Sequence, residues 1–334
     1  MTYDYDDRDS TQLRGALDET DMANQLEMVA NRIRKNLRKL KKPFEQQNID
    51  VFRLYDWDIP EIRLVVDWYK GHLVVGEYQR QQTDGIEDWL PRMAEATASA
   101  INVPKENLHL KSRKTGGGNP GSRYERLGKN TEPMVVQERD LKFLVNLDDY
   151  IDTGVFSDHR NTRKEIRKIS EGQRFLNLYA YTGTFTCAAV AGGAIASTTV
   201  DLSNNYLGWA EQNFSLNELP DGPHAFIKSD CLDFLFKAHR EKKSWDLCVL
   251  DPPSFSTQHG NSSGFDILRD HPKLIEATIS VMAPGGKIYF STNHQRFTPR
   301  FGGLRCESIE EITHRTVPQD YRNKKIHQCW CISL

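Results

Sequence analysis

At roughly 150 residues per domain, 334 residues imply about two domains, and enough chain to bury a core without disulfides or a structural metal. The composition is 38% apolar and 27% charged with net charge −2, and its 6 Trp, 12 Tyr and 15 Phe exclude global disorder. No apolar run approaches the roughly 20 residues of a membrane span, and Met1-Thr2-Tyr3-Asp4-Tyr5-Asp6-Asp7 does not open like a signal peptide. Cys187, Cys231, Cys248, Cys306, Cys329 and Cys331 form no Cys-x-x-Cys pair and mostly sit in apolar runs. They read as buried free thiols of a reducing compartment, so a cytoplasmic location is expected.

Residues 1–27 read as an acidic, disordered leader: Asp4, Asp6, Asp7, Asp9, Asp18, Glu19 and Asp21 face only Arg8 and Arg14, with no sustained apolar period. Residues 28–42 carry Arg32, Arg34, Lys35, Arg38, Lys39, Lys41 and Lys42 and no acid. Val29, Ile33, Leu37 and Leu40 recur there at helical spacing, which predicts a basic amphipathic helix. Three strands follow within 51–80, divided by turns at 58–60 and 70–72, then a helix over 86–101 and a strand at 108–111. Two short strands within 133–148 complete a small α+β module over 43–150.

A second basic run spans 105–130, with seven Lys or Arg against Glu106 and Glu125. Its loop Thr115-Gly116-Gly117-Gly118-Asn119-Pro120-Gly121 lacks the Gly-Lys-Ser/Thr of a P-loop and reads as a mobile basic flap. A third basic run covers 160–174. One such run is ordinarily a solvated helix face; three in a chain of near-zero net charge fit a polyanion partner, because Lys and Arg neutralise phosphates and release counterions. The candidate nucleic-acid contacts are Arg32, Arg34, Lys35, Arg38, Lys39, Lys111, Arg113, Lys114 and Arg123. A membrane-surface role is disfavoured, since the apolar stripe of the basic helix is narrow and lacks Trp or Phe.

Residues 151–334 form the second domain, whose rhythm from 175 onward is strand, turn, helix. Strands are predicted at 175–179, 197–201, 225–227, 245–250 and 287–291, and helices at 185–191, 206–217, 232–239 and 273–282, the last ending at Pro284-Gly285-Gly286. This alternation predicts an α/β domain with a doubly wound, mostly parallel sheet and ligands at the carboxyl ends of its strands. Four successive strand ends carry polar or glycine residues. Tyr181-Thr182-Gly183-Thr184 follows the first, where glycine admits close backbone approach and a helix N-terminus offers free N–H groups. Asp201 ends the second, 18 residues past Gly183, and is either a ribose-binding acid or a helix cap. Asp230-Cys231 follows the third, suited to an adenine amine. Asp251-Pro252-Pro253-Ser254-Phe255 follows the fourth, where two prolines stop the ladder and fix a rigid loop presenting a flat aromatic. Each piece alone is weak, and the first strand of this domain is not followed by the dinucleotide-type Gly-x-Gly-x-x-Gly; the ordered set of four points to a nucleoside-containing cofactor.

These residues resemble the Rossmann-like class I S-adenosylmethionine-dependent methyltransferases. The resemblance is closest to the guanine-N7 half of the bifunctional large-subunit (23S) ribosomal RNA methyltransferases. It is carried by Ala30-Asn31-Arg32-Ile33-Arg34-Lys35-Asn36-Leu37-Arg38-Lys39-Leu40, Phe52-Arg53-Leu54-Tyr55-Asp56 and Tyr150-Ile151-Asp152-Thr153-Gly154-Val155-Phe156-Ser157-Asp158-His159-Arg160. Phe175 to Thr184, Asp251 to Phe255 and Ile326-His327-Gln328-Cys329-Trp330 extend it over about residues 28–334. It implies that Asn177, Tyr179, Tyr181, Thr182, Gly183 and Thr184 form the methionine-side loop. Asp201 with Leu202 and Ser203 would hold the ribose, and Asp230 with Cys231 the adenine. Asp158 and Arg160 would close over the cofactor, although Arg160 also reads as a helix-start cation. Asp251, Pro252, Pro253 and Phe255 would face the target base, with Asp251 also lining the cofactor, and Asn293 or Asp251 would read the guanine edge. His327 is expected to pack in a late strand, and no metal is expected. The implied partners are 23S rRNA or a precursor particle of the large subunit, and a guanine-N2 half encoded upstream or separately.

A related branch methylates cytosine C5 through a cysteine that follows the fifth strand. Here that stretch is Phe290-Ser291-Thr292-Asn293-His294-Gln295-Arg296-Phe297, without cysteine, and Cys306 lies later in an irregular loop. Guanine N7 is already nucleophilic and needs no base. The rival classes are a non-catalytic RNA-binding assembly factor, against which the four strand-end motifs stand, and a small-molecule methyltransferase, against which the basic runs stand.

Overall fold

A computed structural model of the chain describes residues 19–78, 88–113, 131–256 and 264–334. The first helix, α1 (Glu19–Glu45), starts inside the stretch read as a leader. Its apolar face continues N-terminally through Met22, and Glu19 and Asp21 sit in the first turn, where the helix dipole favours anions. Val29, Ile33, Leu40 and Phe44 are buried along that face, each contributing about 1.5–3 kcal/mol relative to exposure. They pack on β1 (Val51–Asp56), β2 (Leu64–Tyr69) and β3 (His72–Tyr78) and on α2 (Trp89–Ala100). The last strand of this sheet, β4 (Leu108–Arg113), pairs parallel to β3, while β1, β2 and β3 are antiparallel.

A hairpin, β5 (Met134–Glu138) and β6 (Leu141–Val145), joins the module to the second domain. Val136, Phe143 and Val145 of the hairpin share one buried cluster with Val51, Tyr69 and Val74 of the small sheet and with Cys187 and Ala188 beyond it. The two domains therefore meet through an apolar core and not through a bare linker.

The second domain runs α3 (Arg160–Lys168), β7 (Arg174–Leu178), α4 (Thr184–Ala191), β8 (Ala196–Asp201), α5 (Asn204–Leu216), β9 (His224–Lys228), α6 (Cys231–Arg240) and β10 (Trp245–Leu250). Next come the short pair β11 (Phe255–Ser256) and β12 (Phe265–Asp266), then α7 (Ile267–Ile279), β13 (Met282–Thr292), β14 (Ser308–Glu311), α8 (Thr313–Thr316) and β15 (Gln328–Ser333). Among the described residues the large sheet has the order β14-β15-β13-β10-β7-β8-β9. Its strands from β13 to β9 are parallel, and β15 is antiparallel to both its neighbours. The turn expected at Pro284-Gly285-Gly286 falls inside β13, where the pairing with β10 jumps from Trp245↔Met282 to Leu247↔Lys287. The prolonged strand bulges there and does not end.

From β7 the chain winds outward through β8 and β9, then returns to β10 on the other side. The crevice beside the carboxyl ends of β7 and β10 is thus the topological switch point, where open α/β sheets bind ligands.

Candidate active site

The loop after β7 is shaped by three left-handed residues in alternation: Tyr179 (φ 57°), Tyr181 (φ 50°) and Gly183 (φ 70°). That region is costly for residues with a Cβ, so the neighbours must over-determine it. Tyr179 N–H donates to Cys231 Sγ (3.3 Å), and Tyr181 N–H to Asp201 Oδ2 (2.9 Å). The Tyr181 hydroxyl donates to the Asp152 carbonyl (3.2 Å), and Thr182 Oγ1 to that of Gly154 (2.5 Å). A Cβ on Gly183 would lie 2.6 Å from Ala210 Cβ, so α5 packs where any side chain would stand. Thr184 then opens α4.

Asp201 spans two strand ends. Its Oδ2 accepts from Tyr181 and its Oδ1 from Ser203 N–H (2.9 Å). Burial raises its pKa above the usual carboxylate range, against the lowering effect of the Ser203, Tyr181 and Leu202 amides. Leu202 beside it is exposed. An amide-anchored carboxylate next to an exposed leucine suits a ribose, whose hydroxyls donate, below an apolar base edge. A carboxylate anchored in this way beside an exposed leucine is chemically compatible with the nucleoside part of S-adenosylmethionine. At the next strand end the Asp230 Oδ1 caps α6 through Leu232 and Asp233 N–H (2.8 and 3.1 Å).

Several expected contacts are placed elsewhere. Asn177 is buried within β7, its amide donating to Thr186 Oγ1 (3.0 Å), so it braces α4 against the sheet and does not line the loop. Cys231 is buried and acts from beneath, as the acceptor for Tyr179. Arg160 does not close over the cofactor: 2% exposed, it donates to Asp320 Oδ1 (2.5 Å) and the Val51 carbonyl (2.8 Å) and lies over the Phe44 ring. It clamps the first domain. Lys111 is likewise turned inward, its ammonium on the carbonyls of Asp148 (3.4 Å) and Tyr150 (2.5 Å) and not on the surface.

At the end of β10, Asp251 Oδ1 accepts from Ser291 Oγ (2.6 Å), and Ser254 Oγ donates to Asn293 Oδ1 (2.8 Å). The Pro252-Pro253 loop is thereby tied to the end of β13. Phe255, 45% exposed, meets the His294 ring edge-on at 5.7 Å between centroids. The sequence names Asp251, Pro252, Pro253, Phe255 and Asn293 for this place, whereas Asp158, expected to close over the cofactor, is buried behind Asp251 with two histidines. Asp158, His159 and His327 are buried in one cluster. His327 Nδ1 lies 3.0 Å from Asp158 Oδ2 and its Nε2 2.9 Å from Thr316 Oγ1. His159 Nε2 lies 3.5 Å from Asp251 Oδ2 and 3.8 Å from Asp158 Oδ2. Burial would raise the Asp158 carboxyl, but His159 and the His327 hydrogen bond outweigh it and hold it below the usual range. Burial lowers His159, with Asp251 opposing. His327 is thus buried just before β15, in line with the packing expected of it, with both ring nitrogens engaged by internal partners.

The basic face of α1 points outward: Arg34, Lys35, Arg38 and Lys39 are exposed, and Arg32 is half-buried, 3.9 Å from Asp58. Arg34 also donates to the Ala100 carbonyl (3.2 Å), which ties α1 to the end of α2. Arg113 ends β4; Lys114, Arg123 and the glycine loop 115–121 lie outside the described residues.

The sheet order and its switch-point crevice are those of the Rossmann-like class I methyltransferase fold. The chain matches the family model of S-adenosylmethionine-dependent methyltransferases over residues 54–319 and belongs to that family. The ribosomal RNA large subunit methyltransferase K of Neisseria meningitidis serogroup B is 41% identical over 304 residues, covering 90% of this chain and 85% of that protein. The ribosomal RNA large subunit methyltransferase K/L of Hahella chejuensis is 41% identical over 315 residues, covering 93% of this chain but 43% of that longer protein. The chain therefore spans under half of its K/L relative. Among solved structures, a methyltransferase complexed with SAH superposes with TM-score 0.75 at 22% identity, covering 92% of this chain and 82% of that one. An S-adenosylmethionine-dependent methyltransferase from Streptococcus mutans gives 0.74 at 21% identity, covering 96% and 83%. Both show the same fold.

Proposed function

We propose that this chain methylates N7 of a guanine in 23S ribosomal RNA, using S-adenosylmethionine. Large-subunit rRNA as the substrate follows the names of its K and K/L relatives. The choice of atom rests on one observation, the state of the thiols. Cys187, Cys231, Cys248, Cys329 and Cys331 are buried, and burial pushes each thiol up. The remaining one, Cys306, lies with its Sγ 3.9 Å from the Leu304 carbonyl, between β13 and β14. Cytosine C5 chemistry needs a thiolate nucleophile, and guanine N7 needs none, since its in-plane lone pair carries no proton.

The bound cofactor supplies a methyl group on a positively charged sulfur. Asp201 accepts the ribose hydroxyls, and the 181–184 backbone orients the amino-acid end. Phe255 offers its exposed ring as a stacking platform for a base splayed out of its helix. Asp251 and Asn293 hydrogen-bond the guanine edge, and the rigid Pro252-Pro253 loop keeps both in place, so the protein contributes alignment and exclusion of water. The purine gains positive charge as N7 is methylated, which the Asp251 carboxylate favours. The exposed cations of α1 bind flanking phosphates. A guanine-N2 half, encoded upstream or separately, is the expected partner, and the cytoplasm the expected location.

The test is methyl transfer from labelled S-adenosylmethionine to unmodified large-subunit rRNA, read by nucleoside mass spectrometry. Labelled 7-methylguanosine is expected. Labelled 5-methylcytidine would overturn the thiol argument, and N2-methylguanosine the choice of atom. No label despite cofactor binding would refute rRNA as sufficient substrate.

A further inference from the structure

The alignment mechanism makes no use of the two buried imidazoles behind Asp251. His159 and His327 stack face to face, with ring centroids 4.4 Å apart and planes 10° from parallel. A metal ion does not explain this pair. Imidazole lone pairs lie in the ring plane, and two nearly parallel stacked rings do not aim them at one point. The carboxylates explain it better. Both carboxylates near the ring lie on its Nε2 side, Asp251 Oδ2 at 3.5 Å and Asp158 Oδ2 at 3.8 Å, which favours the tautomer with its proton on Nε2. Thr162 Oγ1 stands 3.5 Å from His159 Nδ1, able to donate to it.

We propose that His159 is a positioning residue for Asp251: its Nε2 edge, 3.5 Å from Oδ2, holds the carboxylate toward the crevice, with Ser291 fixing the other oxygen. His327, pinned between Asp158 and Thr316, backs the His159 ring and sets its plane. The Phe185 ring meets His159 edge-on at 5.6 Å from α4, so the imidazole is confined from both sides. The proposal rests on the reading that Asp251 faces the target base.

The charged and titratable groups facing His159 are Asp158 and Arg163 from its own segment, Asp251 from the end of β10, and His327 before β15. Burial, His327 and Arg163 disfavour the imidazolium, while Asp251 and Asp158 favour it; the net direction is downward. At neutral pH the ring is therefore neutral and faces Asp251 without cancelling its charge. On acidification the imidazolium pairs with Asp251 and withdraws its charge from the base. Methylation accordingly has an acid limb set by His159, below the ordinary histidine value of about 6.5.

The experiment has two arms on the full chain. In the cofactor-free protein, the imidazole NMR signals of His159 are titrated in wild type and in Asp251→Asn. Loss of the Asp251 charge is expected to move the His159 midpoint further down, and an unmoved midpoint refutes the contact. In the second arm, the pH profile of methyl transfer is compared for wild type, His159→Ala and His159→Gln. The alanine variant is expected to lose roughly 10- to 100-fold in kcat with little change in KM for the cofactor. Glutamine keeps an N–H donor and is expected to recover most of that loss without the wild-type acid limb. A wild-type acid limb in His159→Gln, or no recovery over alanine, overturns the proposal. If the label falls on another atom, the N7 reading fails alone, because the NMR arm and the pH comparison are read on whatever product forms.

Discussion

Arg160 Nη2 lies 2.5 Å from Asp320 Oδ1, joining residues 160 positions apart, and both side chains are buried. The other oxygen of Asp320 accepts from the backbone N–H of Arg53 in β1 (2.9 Å). One carboxylate thus holds the start of α3 and the first strand of the small sheet together. Arg53 in turn pairs with Asp56 (2.8 Å) and Asp67 (2.6 Å), so the clamp continues into the module. This is how the basic helix is kept at a fixed place relative to the crevice.

Removing one partner of a buried pair leaves an uncompensated charge, which costs about 3–5 kcal/mol. Arg160→Ala is therefore expected to lower unfolding stability by that amount in a denaturant titration. Arg160→Ala with Asp320→Ala should recover part of it, because the orphaned carboxylate is gone. A loss below about 1 kcal/mol for the single variant would show that the pair is not the clamp described.

Arg160 also shows why parts of the site were illegible in the sequence. Its neighbours Asp158 and His159 lie in a motif that suggests cofactor contact, and nothing local reveals a partner at 320. The Asp158–His327 hydrogen bond spans 169 residues, and no periodicity encodes such a pairing. Lys111 was misplaced for the same reason, its acceptors being carbonyls about 40 residues away. By contrast β10 was predicted with its bounds at Trp245 and Leu250, because a buried parallel strand reads as an unbroken apolar run and two prolines end it. The strand-end residues Gly183, Asp201, Asp230 and Asp251 were legible because strand and helix alternation fixes where the carboxyl ends fall. The start of α1 was misread because acids that look like a leader also suit the first turn of a helix.

Gly183 offers a second test. At φ 70° with Ala210 Cβ at 2.6 Å from an added Cβ, alanine there meets both backbone strain and overpacking, each about 1–3 kcal/mol. Gly183→Ala is expected to lower the melting temperature and to weaken cofactor binding in calorimetry, since the Tyr181 and Thr182 amides move with the loop. Adding Ala210→Gly should relieve the clash and not the strain, giving partial recovery. Unaltered cofactor affinity in Gly183→Ala would remove this loop from the binding site.

If Asp201 holds the cofactor's ribose, its titration links binding to pH. Its pKa is raised in the folded, cofactor-free protein, chiefly by burial, so the folded state binds its proton more tightly than the unfolded chain. The sign follows: the contribution to stability is full below the ordinary carboxylate value near 4, and is lost as pH rises through the raised value. The stability difference between wild type and Asp201→Asn should change across that window and be flat above it. Cofactor affinity should run the opposite way in wild type, falling as Asp201 is protonated. Asp201→Asn should bind the cofactor about 10- to 100-fold more weakly, the equivalent of one charged hydrogen bond, with that pH dependence gone. Equal affinities for the two proteins would assign the ribose elsewhere.

The outward cations of α1 make the RNA reading quantitative. Lys35, Arg38, Lys39 and Lys42 are exposed on the face opposite Val29, Ile33 and Leu40, so changing them leaves the packing intact. If each neutralises one phosphate, the slope of log affinity against log salt contains about 0.7–0.9 per cation. The fourfold alanine variant should bind rRNA with a slope shallower by about three, and its cofactor affinity should stay at the wild-type value because the crevice lies in the other domain. A helix that only packs against its own sheet would give the same slope in both proteins. An equal loss for rRNA and for an unrelated RNA would mark these contacts as positional, leaving the choice of base to Phe255, Asp251 and Asn293.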